Sequence, residues 1–379
     1  MSLYLDNAAT TPVRPEVLEA MAPYLTRVFG NPSSHHEVGE AAASALDDAR
    51  ARVASALGVR AGDVMFTSGG TESNNAAVKG LVLGALPRGR RHVVTTAIEH
   101  ESVLASADYL ARLHGVDVTY APVDATGTLT PDALADALRD DTALVSVGYA
   151  NNEIGTVQDA AALTAAAHER GVPLHLDAVQ AAGWLPLAGL GADAVTIAGH
   201  KIGAPKGTGI LAVRGRLPFE PLLHGGGQER GRRSGTPDVA GAVAIATALA
   251  LAEAERTQEA ARVSALRDAF TARVRALVPG ARLTGHPERR LPGTASFVFP
   301  GTNGETVLLE LERRGVVSSS GSACAAGSDE ASHVLLAIGL EHDDARTAVR
   351  FTLPHGLSAS LDPVADAVAD AVAAVGSRG

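Results

Sequence analysis

A lysine that follows an apolar run is the residue of this chain most suited to covalent chemistry. Residues 194–198 read A-V-T-I-A, which has the length and β-branched content of a core strand. Gly199, His200 and Lys201 follow at once, and the glycines and proline after them exclude a regular helix. Lys201 is therefore expected just past a strand end, where an amine can be oriented and partly desolvated to form a Schiff base. A surface lysine in a turn is the alternative interpretation.

A carboxylate and an amide follow another apolar run. Asp177 ends the sequence V-P-L-H-L-D at 172–177, and Gln180 comes one turn later. A carboxylate in this place could keep a pyridinium nitrogen protonated, or it could cap the next segment. The Gln180 amide could reach a neighbouring phenolic oxygen.

Two more polar side chains come after predicted strands. His100 follows the strand at 92–96 and could stack on a flat cofactor and move protons near neutral pH. Asn152 follows the strand at 143–149, and its amide could bind a substrate carboxylate or a cofactor oxygen. A structural histidine and an ordinary turn are the alternatives for these two positions.

Two glycine-containing segments have the composition of anion sites. The segment S-G-G-T at 68–71, which includes Gly70 and Thr71, precedes a predicted helix whose free N–H groups and positive dipole end favour a phosphate. The segment 224–236, which ends at Thr236, is rich in glycine and arginine and could bind a phosphate or a nucleic acid. The negative net charge of the chain favours the phosphate. An ordinary capped helix start and a solvated loop are the alternatives.

The single cysteine, Cys324, lies in a segment of small residues that reads V-V-S-S-S-G-S-A-C-A-A-G-S from residue 316 to 328. Few bulky side chains anchor this segment, and functional residues often lie on mobile loops. A lone cysteine there suits a nucleophile, whereas a buried structural cysteine usually has bulkier apolar neighbours. One cysteine excludes an intrachain disulfide and any cysteine-ligated cluster or zinc site within one chain, and we predict no metal site.

The elements that must position these residues alternate in the order of an α/β fold. Apolar runs of strand length alternate with helical periodicity from about residue 63 to residue 213. This order predicts a mainly parallel sheet with helices on both faces, and ligands of such sheets bind beyond the carboxyl ends of the strands. The candidates that fall at or just after those ends are Gly70, Thr71, His100, Asn152, Asp177 and Lys201.

Composition places the chain among ordinary globular proteins. Of its 379 residues 46% are hydrophobic and 20% charged, and aromatics at 3% leave a core mostly of alanine, valine and leucine. The formal net charge of −10 argues against general binding to nucleic acids or anionic membranes. Since neither a transmembrane run nor a signal-like N-terminus is present, we expect a cytoplasmic protein that binds no membrane and no nucleic acid.

The length of the chain predicts a large domain and a smaller one. We assign residues 15–250 to a large cofactor-binding domain. Residues 1–14 and 251–379 are assigned to a small α+β domain that carries the cysteine segment. An alanine-rich helix from residue 237 to about residue 277 is expected to link the two.

Taken together, these segments resemble those of cysteine desulfurases of the iron–sulfur cluster assembly type, in the class V aminotransferase superfamily of pyridoxal-phosphate enzymes. The resemblance extends over nearly the whole chain and keeps the motifs in order. The motifs are Y-L-D-N-A-A-T-T-P at 4–12, F-T-S-G-G-T-E-S-N-N at 66–75, E-H at 99–100, N-N-E-I-G at 151–155, D-A-V-Q at 177–180, G-H-K at 199–201, H-G-G-G-Q-E-R at 224–230, R-S-G-T at 233–236, S-S-G-S-A-C at 319–324 and R-F-T-L at 350–353.

The resemblance implies the fold-type I architecture of these enzymes and a role for each candidate around pyridoxal 5'-phosphate. Lys201 would hold the cofactor covalently, Asp177 would pair with its pyridine nitrogen and Gln180 with its ring hydroxyl. His100 would stack on the ring and move protons. The other cofactor-binding residues implied are Gly70, Thr71, Asn152, His200 and, from the partner subunit of a homodimer, Thr236.

The resemblance also implies the reaction. Asn152 and Arg350 would hold the carboxylate of L-cysteine, and Cys324 would attack the substrate sulfur. The products would be L-alanine and a persulfide on Cys324, which a sulfur-acceptor protein such as a cluster scaffold would receive for iron–sulfur clusters or thio-modification. A selenocysteine lyase or another class V aminotransferase-type enzyme is the alternative on the same scaffold. A non-catalytic sulfur-transfer scaffold would need none of Lys201, Asp177 and Cys324.

The chain departs from the family pattern in two places. The family commonly has a serine two residues before the histidine of G-H-K, where this chain has Ala198, so a hydroxyl contact to the phosphate is expected to be missing. After R-F-T-L the family often has Gly-Arg, where this chain has Pro354 and His355. The grip on the substrate carboxylate is therefore expected to rest on Arg350.

Overall fold

The computed structural model describes residues 2–320 and 331–376. In these residues the strands are β1 (Leu3–Tyr4), β2 (Val64–Thr67), β3 (His92–Thr96), β4 (Asp117–Ala121), β5 (Thr142–Gly148), β6 (Leu174–Asp177), β7 (Ala194–Ala198), β8 (Gly209–Val213), β9 (Arg282–Leu283), β10 (Thr294–Val298), β11 (Val316–Val317) and β12 (Ala348–Thr352). The α-helices of the same residues are α1 (Pro15–Thr26), α2 (Glu37–Leu57), α3 (Gly70–Ala85), α4 (Glu101–His114), α5 (Pro131–Ala137), α6 (Ala160–Glu169), α7 (Val239–Leu277), α8 (Gly304–Arg313), α9 (His333–Ala337), α10 (His342–Ala345) and α11 (Asp362–Gly376).

A seven-stranded sheet forms the centre of the larger part of the structure, in the order β2-β8-β7-β6-β5-β3-β4. Strands β4, β3, β5, β6 and β7 run parallel to one another, each reached through a crossover. Strand β8 alone runs the opposite way, antiparallel to its neighbours β7 and β2, because the short connection from β7 to β8 has no room for a crossover helix. The predicted α/β fold with a mainly parallel sheet is confirmed.

Both faces of this sheet are covered along its inner strands, whereas the edge strand β4 is partly exposed. Neighbouring residues of a strand face opposite sides, so Val93 packs with the cluster around α3 and α4 while Val94 packs with the cluster around α2, α6 and α7. Strand β7, predicted from A-V-T-I-A, is buried along its whole length.

A second hydrophobic core surrounds the antiparallel sheet β12-β10-β9. Helix α7 runs from one core to the other: Ile245 packs in the core of the large sheet, and Phe270 packs in the second core. Asp238 caps the start of α7 by accepting a hydrogen bond from the Gly241 N–H. The helix is continuous across residue 250, and the domain boundary assigned there remains a prediction.

Two helices begin at or beside candidate site residues. Helix α4 begins at Glu101, because His100 is its cap and its ring accepts from the Ser102 N–H. Helix α3 begins at Gly70, inside the segment 68–71 predicted to precede it. Within the described ranges, the structure has no helix long and apolar enough to cross a membrane.

Candidate active site

A cavity of about 520 Å³ opens beyond the carboxyl ends of β3, β5, β6 and β7. Its volume is within the range of small-molecule and cofactor sites. The structure brings these predicted residues together on its wall: Gly70, Thr71, His100, Asn152, Asp177, Gln180, His200, Lys201 and Arg350.

Two predicted residues are not on this wall. Thr236 lines a separate hollow of about 170 Å³, together with Ser68 and Arg233. Cys324 lies outside the residues that the structure describes. The predicted site residues that do line the cavity include Lys201, Asp177 and His100.

Lys201 lies in a single turn of 3-10 helix that follows β7 directly. A Cβ at Gly199 would lie only 2.1 Å from Thr208 Oγ1, so the turn closes against its neighbour only with glycine at this position. The lysine Nζ donates to the carbonyl of Ala8 and, at 2.7 Å, to that of Ala9. The N-terminal segment thus holds the amine against the wall of the cavity.

Asp177 ends β6 with both carboxylate oxygens in hydrogen bonds. Oδ1 accepts from the Val179 N–H at 3.0 Å, and Oδ2 accepts from the Asn74 amide at 2.6 Å. The first bond is the turn-capping contact that the alternative interpretation required. Since a carboxylate oxygen has more than one acceptor direction, this contact leaves Asp177 able to face a ligand cation as well.

Gln180 comes from the turn after Asp177 and contacts the same N-terminal segment as the lysine. Its amide donates to the carbonyl of Ala8 at 3.1 Å. Lys201 and Gln180 therefore share one carbonyl, and residues 8–9 form part of the site.

The N-terminus of α3 opens into the cavity at Gly70 and Thr71. A Cβ at Gly70 would lie 2.9 Å from a methyl of Val179 and 3.2 Å from Cβ of Ala198. Glycine at this position therefore lets the helix start pack closely against β7 and the turn after β6. The free N–H groups of this first turn and the helix dipole form an anion site.

His200 lies beside Lys201, and its Nδ1 is 3.1 Å from Thr10 Oγ1. Burial, with Lys201 and Lys206 nearby, lowers the pKa of His200 to about 4. The ring is neutral at physiological pH, so it can donate only one hydrogen bond to a bound anion.

The two neighbouring asparagines after β5 have different roles. Asn151 builds the turn: its side chain donates to the Ile98 carbonyl at 2.8 Å and accepts from the Glu153 N–H. Asn152 lies in this turn and on the wall of the cavity, and its backbone carbonyl accepts from Arg350 Nη1 at 2.9 Å. The predicted site residue is therefore also a turn residue, and its role in binding stays a prediction.

Arg350 belongs to β12 and is 1% exposed. Its Nη2 donates to Asp6 Oδ1 at 2.7 Å. The guanidinium reaches the cavity from the second core with an acidic partner already beside it. His355, by contrast, packs against Trp184 with ring centroids 3.8 Å apart and is not on the wall of the large cavity.

Three side chains on or beside the wall have no role in the sequence analysis. Glu99 is buried, accepting from Thr96 Oγ1 at 2.6 Å and from the Gly148 N–H at 2.7 Å. Burial, with the Asp177 charge nearby, raises its pKa to about 8. Asn74 and Ser102 connect Asp177 to His100. Two of the three lie within motifs quoted above: Glu99 directly precedes the candidate histidine, and Asn74 lies one helical turn after Gly70. Ser102 lies in none of those motifs.

A metal site finds no support in the part of the chain that the structure covers. In residues 2–320 and 331–376, no group of three or more histidine, cysteine or acidic side chains is arranged to hold an ion.

A parallel sheet with a lysine just past one strand and a carboxylate ending the next defines the fold-type I class of pyridoxal-phosphate enzymes. The class-V aminotransferase family matches residues 3–355, and the chain belongs to that family. Within it the chain groups with the cysteine desulfurases. It is similar to cysteine desulfurase IscS of Dictyoglomus turgidum, with 44% identity over 93% of this chain and 89% of the relative.

Two further relatives extend this similarity. The IscS-like cysteine desulfurase of Mycobacterium tuberculosis is 45% identical over 98% of this chain and 96% of its own length. Among solved structures, a NifS-like protein superposes with a TM-score of 0.90 at 35% identity, covering 99% of both chains. Both similarities extend over nearly the full length of each chain.

Proposed function

We propose that this protein is a pyridoxal-phosphate-dependent L-cysteine desulfurase that forms a persulfide on Cys324 and releases L-alanine. The observation that carries the proposal is the single cavity in which Lys201, Asp177, His100 and the N-terminus of α3 meet. The names of the relatives, which are cysteine desulfurases, support the same reaction.

The residues on the wall fit the cofactor at each of its polar groups. Lys201 would supply the amine that holds it, Asp177 would pair with the pyridine nitrogen, and Gln180 would bind the ring hydroxyl. The first turn of α3, with Gly70, Thr71 and the neutral His200, binds the phosphate. When bound, the cofactor supplies an electron sink that stabilises negative charge on the substrate carbon atoms.

The substrate is held and attacked by residues from the opposite side of the cavity. Arg350 and Asn152 would bind the carboxylate of L-cysteine, and His100 would stack on the cofactor ring and take part in proton movement. The Cys324 thiolate attacks the substrate sulfur. The carbon–sulfur bond breaks with its electron pair left on carbon, which takes a proton and leaves as alanine.

The decisive experiment follows the sulfur. The chain has one cysteine, so the added mass of one sulfur atom after treatment with L-cysteine must lie on Cys324. Wild-type protein should gain that mass and lose it to a reducing thiol, while Cys324→Ser should still change its visible spectrum with cysteine and release no alanine. Normal alanine release by Cys324→Ser would exclude the assignment. If this variant lost turnover of cysteine but kept turnover of selenocysteine, the protein would be an enzyme that accepts both substrates.

The cofactor assignment is tested separately. Purified protein should be yellow, and Lys201→Ala should lose the visible band. Lys206 is exposed and lies five residues further along the chain, so Lys206→Ala is the matched control and should keep the band. An unchanged spectrum in Lys201→Ala would contradict the role of this lysine.

We propose further that the active form is a homodimer, because Thr236 lies outside the cavity of its own chain. In this arrangement Thr236 serves the phosphate of the partner subunit. Mixing inactive Lys201→Ala chains with inactive variants of loop 224–236 should restore activity, since one site of each mixed dimer is complete. Confirmed mixed dimers without recovery would place both groups in one site.

The persulfide is proposed to pass to an acceptor protein such as a cluster scaffold. Cross-linking the sulfur-loaded protein in a cell extract and identifying the captured thiol protein would test this. The cytoplasmic location remains a prediction from the sequence.

A further inference from the structure

An unbroken chain of hydrogen bonds joins Asp177 to His100 through two side chains outside the proposed ligand contacts. The Asn74 amide nitrogen donates to Asp177 Oδ2 at 2.6 Å and to Ser102 Oγ at 2.9 Å. Ser102 Oγ lies 2.8 Å from His100 Nδ1, and the Ser102 N–H donates to the same ring nitrogen at 3.0 Å.

The chemistry of each group sets the direction of these bonds. A carboxylate only accepts, so the Asn74 amide must turn its nitrogen toward Asp177, and its second proton goes to Ser102 Oγ. The hydroxyl then accepts from Asn74 and turns its own proton to His100. Two donors therefore meet at Nδ1, which must carry a lone pair, and the ring proton is on Nε2.

Burial makes this arrangement hard to replace with water. Asn74 is 2% exposed and Ser102 is 7% exposed. The Asn74 Oδ1 atom is buried without a hydrogen-bond partner among the described residues. A buried acceptor left in this state costs stability, which indicates that the amide is kept for its two donated bonds.

We propose that Asn74 and Ser102 are positioning residues that fix His100 as the tautomer protonated at Nε2, linked to the Asp177 carboxylate. In this form the ring presents an N–H donor to the cavity and not a lone pair. His100 thus stabilises negative charge on a bound group, and the base that first deprotonates the substrate is a different group. The charge-stabilising role of His100 rests on the proposed function, whereas the assignment of its tautomer does not depend on that function.

The test reads the tautomer directly in the cofactor-loaded protein. With ¹⁵N-labelled histidine, ring ¹H–¹⁵N correlations assigned through His100→Gln should show wild-type His100 protonated at Nε2 alone. Ser102→Ala keeps the backbone N–H as one donor at Nδ1 and loses the hydroxyl, so it should move the Nδ1 resonance part of the way toward that of a mixed tautomer, and Ser102→Thr should restore it. Ser106→Ala removes another buried hydroxyl, which bonds only to the Ser102 carbonyl among its described contacts, and should leave the His100 signals unchanged.

Turnover gives the second readout. Ser102→Ala should lower kcat for alanine formation about tenfold while KM changes less than about twofold, because a mixed tautomer weakens an N–H donor to developing charge, and complete loss of such a donor costs about a hundredfold or more. Asn74→Ala should move both readouts in the same direction, and it replaces Ser102→Ala if that variant does not fold.

Each outcome decides the proposal. A wild-type ring protonated at Nδ1, or equal shifts in Ser102→Ala and Ser106→Ala, would overturn it. Wild-type protein that makes no persulfide would instead overturn the proposed function, and the ring spectra would still report the tautomer.

Discussion

The two hydrophobic cores of this protein are built from different side chains. The second core contains four of the seven phenylalanines of the chain, Phe270, Phe297, Phe299 and Phe351. The core of the large sheet is mostly alanine, valine, leucine and isoleucine, and polar groups lie in or just after its strands, such as the buried Glu99 and His175 and the half-buried Asp177.

The difference separates stability from chemistry. Aromatic rings fill the second core with contacts that a substitution cannot replace, so this region should govern stability. Small aliphatic residues in the large sheet allow helices and turns to approach closely, and its buried polar groups are costly to fold but available to a ligand. Substitutions in the two regions should therefore affect different measurements.

The largest expected effect is on stability, from Phe297→Ala. Its ring is fully buried, and its centroid lies 5.9 Å from the ring centroid of Phe299, 6.1 Å from that of Phe270 and 6.4 Å from that of Phe351. The cavity left should lower the free energy of unfolding by about 3–5 kcal/mol. Chemical denaturation measures this, with the visible spectrum of the folded variant unchanged.

The matched control is Phe29→Ala, whose side chain is 71% exposed and whose loss should change stability by less than about 0.5 kcal/mol. Equal effects of the two substitutions, or a changed cofactor spectrum in Phe297→Ala, would contradict the separation of the two regions.

In the polar region, Glu99→Gln should raise the free energy of unfolding at high pH, whereas Phe297→Ala lowers it. Burial raises the pKa of Glu99 to about 8, so the folded protein keeps a proton that the unfolded chain releases above its ordinary pKa of about 4.5. Wild-type stability should therefore fall as pH rises from about 4.5 to 8. The glutamine variant should gain about 2–4 kcal/mol over wild type above pH 8 and almost nothing near pH 4.5.

Unfolding curves across this pH range measure the difference. The exposed Glu169 is the control, because Glu169→Gln should follow wild type at every pH. A constant offset between Glu99→Gln and wild type would show that Glu99 keeps its charge in the folded protein.

The smallest expected effect is on cofactor retention, from Ala198→Ser. Ala198 is 1% exposed, ends β7 and lies beside the first turn of α3. A hydroxyl there should donate to the proposed phosphate and slow cofactor loss on dialysis about tenfold, which corresponds to about 1.4 kcal/mol. Ala194→Ser, at the other end of the strand, is the control, and equal rates in both variants would mean that the hydroxyl points elsewhere.

The sequence predicts the parts of the site that follow strands, because an apolar run and the polar residue after it are local signals. Lys201 after β7 and Asp177 ending β6 are positions of this kind. The link through Asn74 and Ser102 could not be predicted, since it joins residues from two helices 28 positions apart in the chain. The contact of Lys201 with Ala8 is of the same type, because a carbonyl from a distant segment leaves no mark in the sequence around the lysine.

The N-terminal segment that holds Lys201 is anchored by residues that come far later in the chain, after all strands of the large sheet. Leu3 and Tyr4 pair with Val316 and Val317, and the Leu5 N–H donates to the Val317 carbonyl at 2.8 Å. A chain emerging from the ribosome can therefore build the large sheet long before its first residues find their place. The binding site is finished last, and in refolding the Leu5 amide should gain protection from hydrogen exchange after the amides of β5 and β6.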